Sequence, residues 1–80
     1  MKLEIITPEQ NVFSGEVDLV TLPGKEGQFQ ILKDHAPLVS TLKTGDLVYE
    51  TAGKKETIVV DGGVVQVLDN KVLVLADGII

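Results

Sequence analysis

The sequence predicts an all-β domain. Three observations carry that expectation: valine, isoleucine and threonine are abundant while alanine is scarce, apolar and polar residues alternate in short runs, and glycine interrupts those runs every several residues. A chain of 80 residues allows one domain, 1–80. With no cysteine, its core must hold without a disulfide or a zinc–thiolate staple.

The elements follow in order. "KLEII" places Leu3 and Ile5 on one face and Lys2 and Glu4 on the other, the alternation of a half-buried strand, and Thr7-Pro8 ends it. "NVFSGEVDLVTL" resumes the alternation, but its phase shifts from Val17/Leu19 to Val20/Leu22, so the segment is expected as one strand bent by a bulge. "PGKEG" at 23–27 is a turn on local chemistry, since proline presets φ and glycine accepts positive φ. A strand over Gln28–Lys33 puts Phe29 and Ile31 on one face, with Gln28, Gln30 and Leu32 opposite. Asp46–Ala52 and Lys55–Asp61 flank the polar tip "GKK" and read as a hairpin, after which Gly62-Gly63 turns the chain. "VVQVLDNKVLVLAD" reads as a second hairpin with Asp69-Asn70 at its tip, and its return strand Val72–Ala76, apolar on both faces, is expected at the centre of a sheet. Periodicity leaves both a sandwich and a barrel open.

Charge and composition exclude several functions. Seven lysines against twelve acidic residues give a net charge of -5, and there is no arginine to grip phosphate, so nucleic acid is not an expected partner. The first ten residues lack the apolar centre of a secretory signal, and no run approaches the roughly twenty apolar residues of a spanning helix. Direct membrane insertion is not expected.

Candidate chemistry is sparse. The single histidine, His35, has no second histidine or cysteine for zinc, and Ser14, Ser40, Asp34 and Asp61 form no nucleophile-elbow pattern around it. No catalytic residue, metal or cofactor is expected. "GKEGQF" is not a phosphate loop, because no helix follows Gly27 to present its amides. Gly62-Gly63 points to a bulge or a close backbone approach before it points to a ligand. Lys71, just past the Asp69-Asn70 turn, is the one rival: lipoyl and biotinyl carrier domains modify a lysine at a hairpin tip. Neither carrier context surrounds it, and a solvated strand-end lysine is the simpler reading.

What remains is the apolar corner "GQFQILKDHAPL", with Phe29, Ile31 and Leu32 before the loop and Ala36, Pro37, Leu38 and Val39 after it. Core packing is the default expectation for most of these residues, with the hypothesis beside it that so small a domain leaves some of them exposed as a partner surface. There His35 and Pro37 shape a rigid loop that presents Leu38, Val39 and Ser40 to a neighbour.

With "TPEQNVFSGEV" at 7–17, "GQFQILKDHAPLVSTLKTG" at 27–45 and "VDGGVVQVLDNKVLVLAD" at 60–77, the chain resembles the amino-terminal domain of the F-type ATP synthase epsilon subunit. It departs from that pattern at Gln30, where glycine is usual, and at Lys33-Asp34, where proline and glycine are usual. The resemblance implies a flattened β-sandwich of two roughly five-stranded, mostly antiparallel sheets. It also implies a central-stalk rotor subunit that locks the gamma subunit to the polar loops of the c-ring, peripheral on the cytoplasmic face of the bacterial inner membrane. Carried over by position, the loop at Gln28 is the expected ring-facing contact, and Thr7, His35 and Ser40 are the expected gamma-facing ones. Phe29, Ala36, Pro37 and Leu38 are expected partner-binding residues as well, with no partner assigned to them. Family members commonly continue into a helical hairpin that regulates ATP hydrolysis. This sequence stops at Ile80, so it is expected to keep the coupling element without that arm.

Overall fold

Alternating burial organises the first strand, β1 (Lys2–Ile6): Leu3 and Ile5 are fully buried, while Lys2 faces solvent. The computed structural model describes all residues 1–80 and contains seven strands and no helix. Thr7 ends β1 by closing a turn. Its hydroxyl accepts from the Gln10 N–H and donates to the Gln10 carbonyl, both at 3.2 Å. The chain returns as β2 (Asn11–Glu16), antiparallel to β1, with a register shift at Ile5/Ile6.

The segment expected as one bent strand is two. Val17, which is buried, and Asp18, which is exposed, carry the chain away from β2, their N–H groups donating to the carbonyls of Met1 (2.9 Å) and Glu50 (2.8 Å), and β3 (Leu19–Gly24) then pairs with new neighbours. The phase shift marks this crossing, and the bulge lies earlier, where Ile5/Ile6 face Asn11–Phe13. Lys25-Glu26 turns β3 into β4 (Gly27–Leu32), which ends one residue before the expected Lys33.

Two long strands follow, β5 (Leu38–Thr51) and β6 (Lys54–Leu68), joined at Ala52-Gly53. Both turn residues have positive φ, 52° and 81°, as a two-residue hairpin requires, so the tip is Ala52-Gly53 and not "GKK". Gly62-Gly63 does not reverse the chain either. The pair lies inside β6 at φ 76° and 133°, and the ladder with β5 breaks there between Leu42↔Gly63 and Thr44↔Asp61 without a change of register. Close approach is the reason glycine is needed: a Cβ on Gly63 would stand 2.3 Å from the Leu75 carbonyl oxygen. Asp69-Asn70, at φ 50° and 62°, then turns the chain into β7 (Lys71–Ala76). This strand is interior to the sheet, parallel to β1 and antiparallel to β6, but Leu75 on its outer face stays exposed.

Hydrogen bonding is continuous through one sheet in the order β2-β1-β7-β6-β5-β3-β4. That sheet is doubled over. The rings of Phe13 on β2 and Tyr49 on β5 lie 4.4 Å apart, whereas four strand spacings in a flat sheet would separate them by about 19 Å. The smallest dimension of the chain, 19 Å, likewise fits two layers rather than one. β5 and β6 run through both. β7 pairs only with the Gly63–Leu68 part of β6, and β3 pairs mainly with the Thr51-side half of β5. One cluster of 14 buried residues fills the space between, with Leu3, Ile5, Val65, Val72 and Val74 from one layer meeting Val20, Leu22, Ile31, Leu47 and Val60 from the other.

Candidate docking surface

The outer face of the layer containing β1 and β7 is unusually apolar. Strand register aligns Thr41, Val64, Leu75 and Ile6 in one cross-strand row and Val39, Gln66, Leu73 and Glu4 in the next. Val39, Leu75 and Val64 are 69%, 47% and 39% exposed. Adjacent strands each contribute an apolar side chain, so the patch is contiguous, as partner surfaces are and scattered surface apolar residues are not. The apolar second face of "VLVLA" was its trace in the sequence.

The corner between β4 and β5 stands at one end of this face. His35, Ala36 and Pro37 are exposed. The only side-chain hydrogen bond of His35 is from Nδ1 to the Ala36 carbonyl, 2.7 Å away, which shapes the loop locally. Asp34 holds φ 63°; its N–H donates to Asn70 Oδ1 at 2.7 Å, and Asn70 Nδ2 donates to Asp34 Oδ1 at 3.1 Å. That reciprocal pair bridges 36 positions and has no sequence signature. Leu38 is half-buried against the core, and Ser40 is half-buried opposite Val65.

Thr7 stands at the opposite end. Asn70 accepts from the Lys2 N–H, so β1 starts beside the His35 end and carries the chain roughly 17 Å away over its five residues. The Thr7 side chain is buried, and its hydroxyl is taken up by Gln10. What is exposed at this end is the Pro8–Gln10 turn rather than the Thr7 side chain. The structure therefore brings His35, Ala36 and Pro37 together and keeps Thr7 apart, with the apolar face between them.

Gln28 and Phe29 lie on β4, in the other layer. Gln28 is exposed, whereas Phe29, opposite buried Leu22, packs against the core. The adjoining turn reaches back to the first layer, where the Lys25 N–H donates to the Thr41 carbonyl at 3.0 Å.

Lys71 opens β7 rather than sitting on the hairpin tip, and its Nζ is 3.1 Å from Glu4 Oε1. No three His, Asp or Glu side chains converge as metal ligands, and no helix is long and apolar enough to cross a membrane. One titration is displaced: burial, with help from the Glu56 carboxylate, pushes the Tyr49 phenol above its ordinary 10.0.

The family model described as the ATP synthase delta/epsilon chain β-sandwich domain matches residues 1–80. The chain belongs to this family. Among curated relatives, the ATP synthase epsilon chain of Nitratidesulfovibrio vulgaris (strain DSM 19637 / Miyazaki F) is 49% identical over 77 residues, covering 96% of this chain and 58% of its own length. That of a Nitratiruptor species is 48% identical over 79 residues, covering 98% and 61%. The chain thus spans about three-fifths of these epsilon chains. Among solved structures, a chain of the Euglena gracilis mitochondrial ATP synthase (OSCP/F1/c-ring) superposes with a TM-score of 0.91 at 27% identity, covering 98% of this chain and 51% of that one. A chain of the Tetrahymena thermophila mitochondrial enzyme superposes at 0.86 over 99% of this chain and 64% of that one; at 16% identity it shows the shared fold alone.

Proposed function

We propose that this chain is a non-catalytic central-stalk rotor subunit of an F-type ATP synthase, coupling c-ring rotation to the gamma shaft. One observation carries the reading within the delta/epsilon family: a broad apolar outer face, backed by a closed two-layer core, is bonded through the backbone to a separate exposed hairpin. We assign the apolar face between the Thr7 turn and the His35 corner to gamma. The Gln28 hairpin faces the polar loops of the c-ring. Force entering at that hairpin passes from Lys25 to Thr41, whose strand already carries the shaft-facing row. Hydrogen-bonded sheet and close-packed core deform little, so rotation is transmitted rather than absorbed. The relatives named ATP synthase epsilon chain support this assignment, as does the Euglena chain in a structure that includes the c-ring.

In the same reading, residues 1–80 act as one unit with two five-stranded layers, the bent strands being counted in each. β2, β1, β7 and the Gly63–Leu68 and Leu38–Leu42 segments make the first. β4, β3 and the remaining halves of β5 and β6 make four strands of the second. Gly78–Ile80 adds the fifth along β6, supported by the Val60↔Ile79 bridge and the Ile80 N–H to Val59 carbonyl bond at 2.9 Å. The subunit is peripheral, on the cytoplasmic face of the bacterial inner membrane.

The test is binding of the chain to purified gamma and to c-ring, with Leu75→Glu as the probe. Because Leu75 is exposed, the substitution leaves the fold intact, and it is expected to weaken gamma binding at least about tenfold by burying an unpaired charge. Gamma affinity equal to wild type would overturn the assignment of this face. Ion flow fully linked to ATP synthesis in a complex lacking the subunit would overturn the function.

A further inference from the structure

Asp34 and Asn70 both hold left-handed backbone conformations, φ 63° and 62°, where glycine is the least strained residue. Each position carries a short polar side chain instead, and the two side chains engage each other. Asn70 Oδ1 accepts the Asp34 N–H at 2.7 Å, and Asn70 Nδ2 donates to Asp34 Oδ1 at 3.1 Å. The same asparagine fastens a third segment, its carbonyl accepting the Lys2 N–H at 3.0 Å. Residues 33–37 have few other attachments. All five are exposed, and beyond the Asn70 pair their hydrogen bonds are local, from the His35 N–H to the Leu32 carbonyl and from His35 Nδ1 to the Ala36 carbonyl. The loop is anchored at its ends by β4, which stops at Leu32, and by β5, which starts at Leu38 opposite Val67. Between those ends no side chain is buried, and the Asn70 pair is its one tether to the β6–β7 turn.

We propose that the Asp34–Asn70 clasp is a positioning device, which fixes the His35–Pro37 corner relative to the apolar face, so that Asn70 controls docking without touching the partner. The inference rests on the reading that this corner meets gamma. The physical basis is preorganisation: a corner held in its docking position loses less conformational freedom on binding than a free one. Asn70 is the stronger handle, because it supplies both halves of the clasp, whereas removing the Asp34 carboxylate leaves the bond from the Asp34 N–H in place.

Asn70→Gly tests this cleanly, since glycine keeps the left-handed turn and deletes both bonds. Amide exchange in the isolated full chain is expected to accelerate about tenfold at Asp34, the donor released, while β6 and β7 amides are unchanged. Gamma affinity is expected to fall about three- to tenfold, as loss of one or two modest hydrogen bonds implies. Asp34→Gly is expected to have a smaller effect, and the double variant to match Asn70→Gly alone, because both act through one contact. Unchanged exchange at Asp34 in Asn70→Gly would overturn the clasp. Faster exchange with unaltered gamma affinity would overturn its positioning role, as would additive losses in the double variant. A wild-type chain that does not bind gamma would overturn the docking reading together with the positioning role, while the exchange measurement still reports on the clasp.

Discussion

Replacing Gly63 with alanine tests the bend that lets one strand serve both layers. At φ 133°, well outside the left-handed helical region and open essentially to glycine alone, an L-residue is strained by roughly 1–3 kcal/mol, and at this site the strain is joined by a collision. The added Cβ would lie 2.3 Å from the Leu75 carbonyl oxygen and 2.8 Å from the Ala76 Cα, both backbone atoms that no rotamer change can move. β7 must shift outward, loosening Val74 and Ala76 in the core, at a cost of about 1–3 kcal/mol by analogy with overpacking. The expected total is roughly 2–6 kcal/mol, against about 4–12 kcal/mol of stability for a domain of this size. Gly53→Ala is the internal control: its φ is 81°, but nothing lies within 4 Å of the added methyl, so only the backbone strain remains. Urea denaturation followed by far-ultraviolet circular dichroism should place Gly63→Ala well below Gly53→Ala, and thermal melts should put its melting temperature about 4 °C or more below that of the control. Equal destabilisation of the two variants would show that the close approach to β7 does not constrain the bend.

His35→Ala should leave the melting temperature nearly unchanged, because the side chain is exposed, yet weaken gamma binding about three- to tenfold in calorimetry. The ATPase activity of the catalytic head alone should not respond to it. Leu47→Ala should cost about 2–5 kcal/mol in urea denaturation, since Leu47 is fully buried in the shared core. Tyr49 is the only tyrosine, so tyrosinate absorbance reports it alone, and its midpoint should lie above 10.0, moving down in Glu56→Gln. The folded chain keeps this proton longer than the unfolded one, so the group does not affect stability below about pH 10 and lowers it as pH rises from there through the folded midpoint. A midpoint at or below 10.0 would contradict the burial of the phenol against Phe13.

Local features were legible where a single residue's chemistry decided them. Leu3 and Ile5 alternate with charged neighbours and are fully buried, and Asp69-Asn70 turns because both residues tolerate positive φ. Long-range features were not. Gly62-Gly63 reads both as a turn and as a close backbone approach, and only the second holds, because whether a glycine pair reverses a strand or bends it depends on what passes alongside, here the Leu75 carbonyl. The phase shift near Val17 marks a real break in the strand but not its kind, because a crossing between layers and a bulge disturb alternation alike. The corner was visible as an apolar run around His35, yet its tether to Asn70 joins residues 36 apart that no periodicity links. The turn that Thr7 closes by bonding Gln10 through its hydroxyl is local, yet no alternation announces it.

The proposed coupling role also requires resistance to shear, and the continuous sheet supplies it in a way that two separate sheets would not. Stacked sheets held only by apolar contact resist sliding through many weak, non-directional interactions. Here β5 and β6 pass from one layer into the other, so sliding must also distort backbone angles, and within β6 that distortion falls at Gly62-Gly63, which the Leu75 and Ala76 backbone already confines. The lightest variant that frees this point should therefore loosen coupling before it unfolds the chain. In a reconstituted complex at a temperature where Gly63→Ala remains folded, ATP hydrolysis should proceed with reduced ion pumping per nucleotide. Normal pumping in that complex would mean that stiffness at the bend is not what couples ring to shaft.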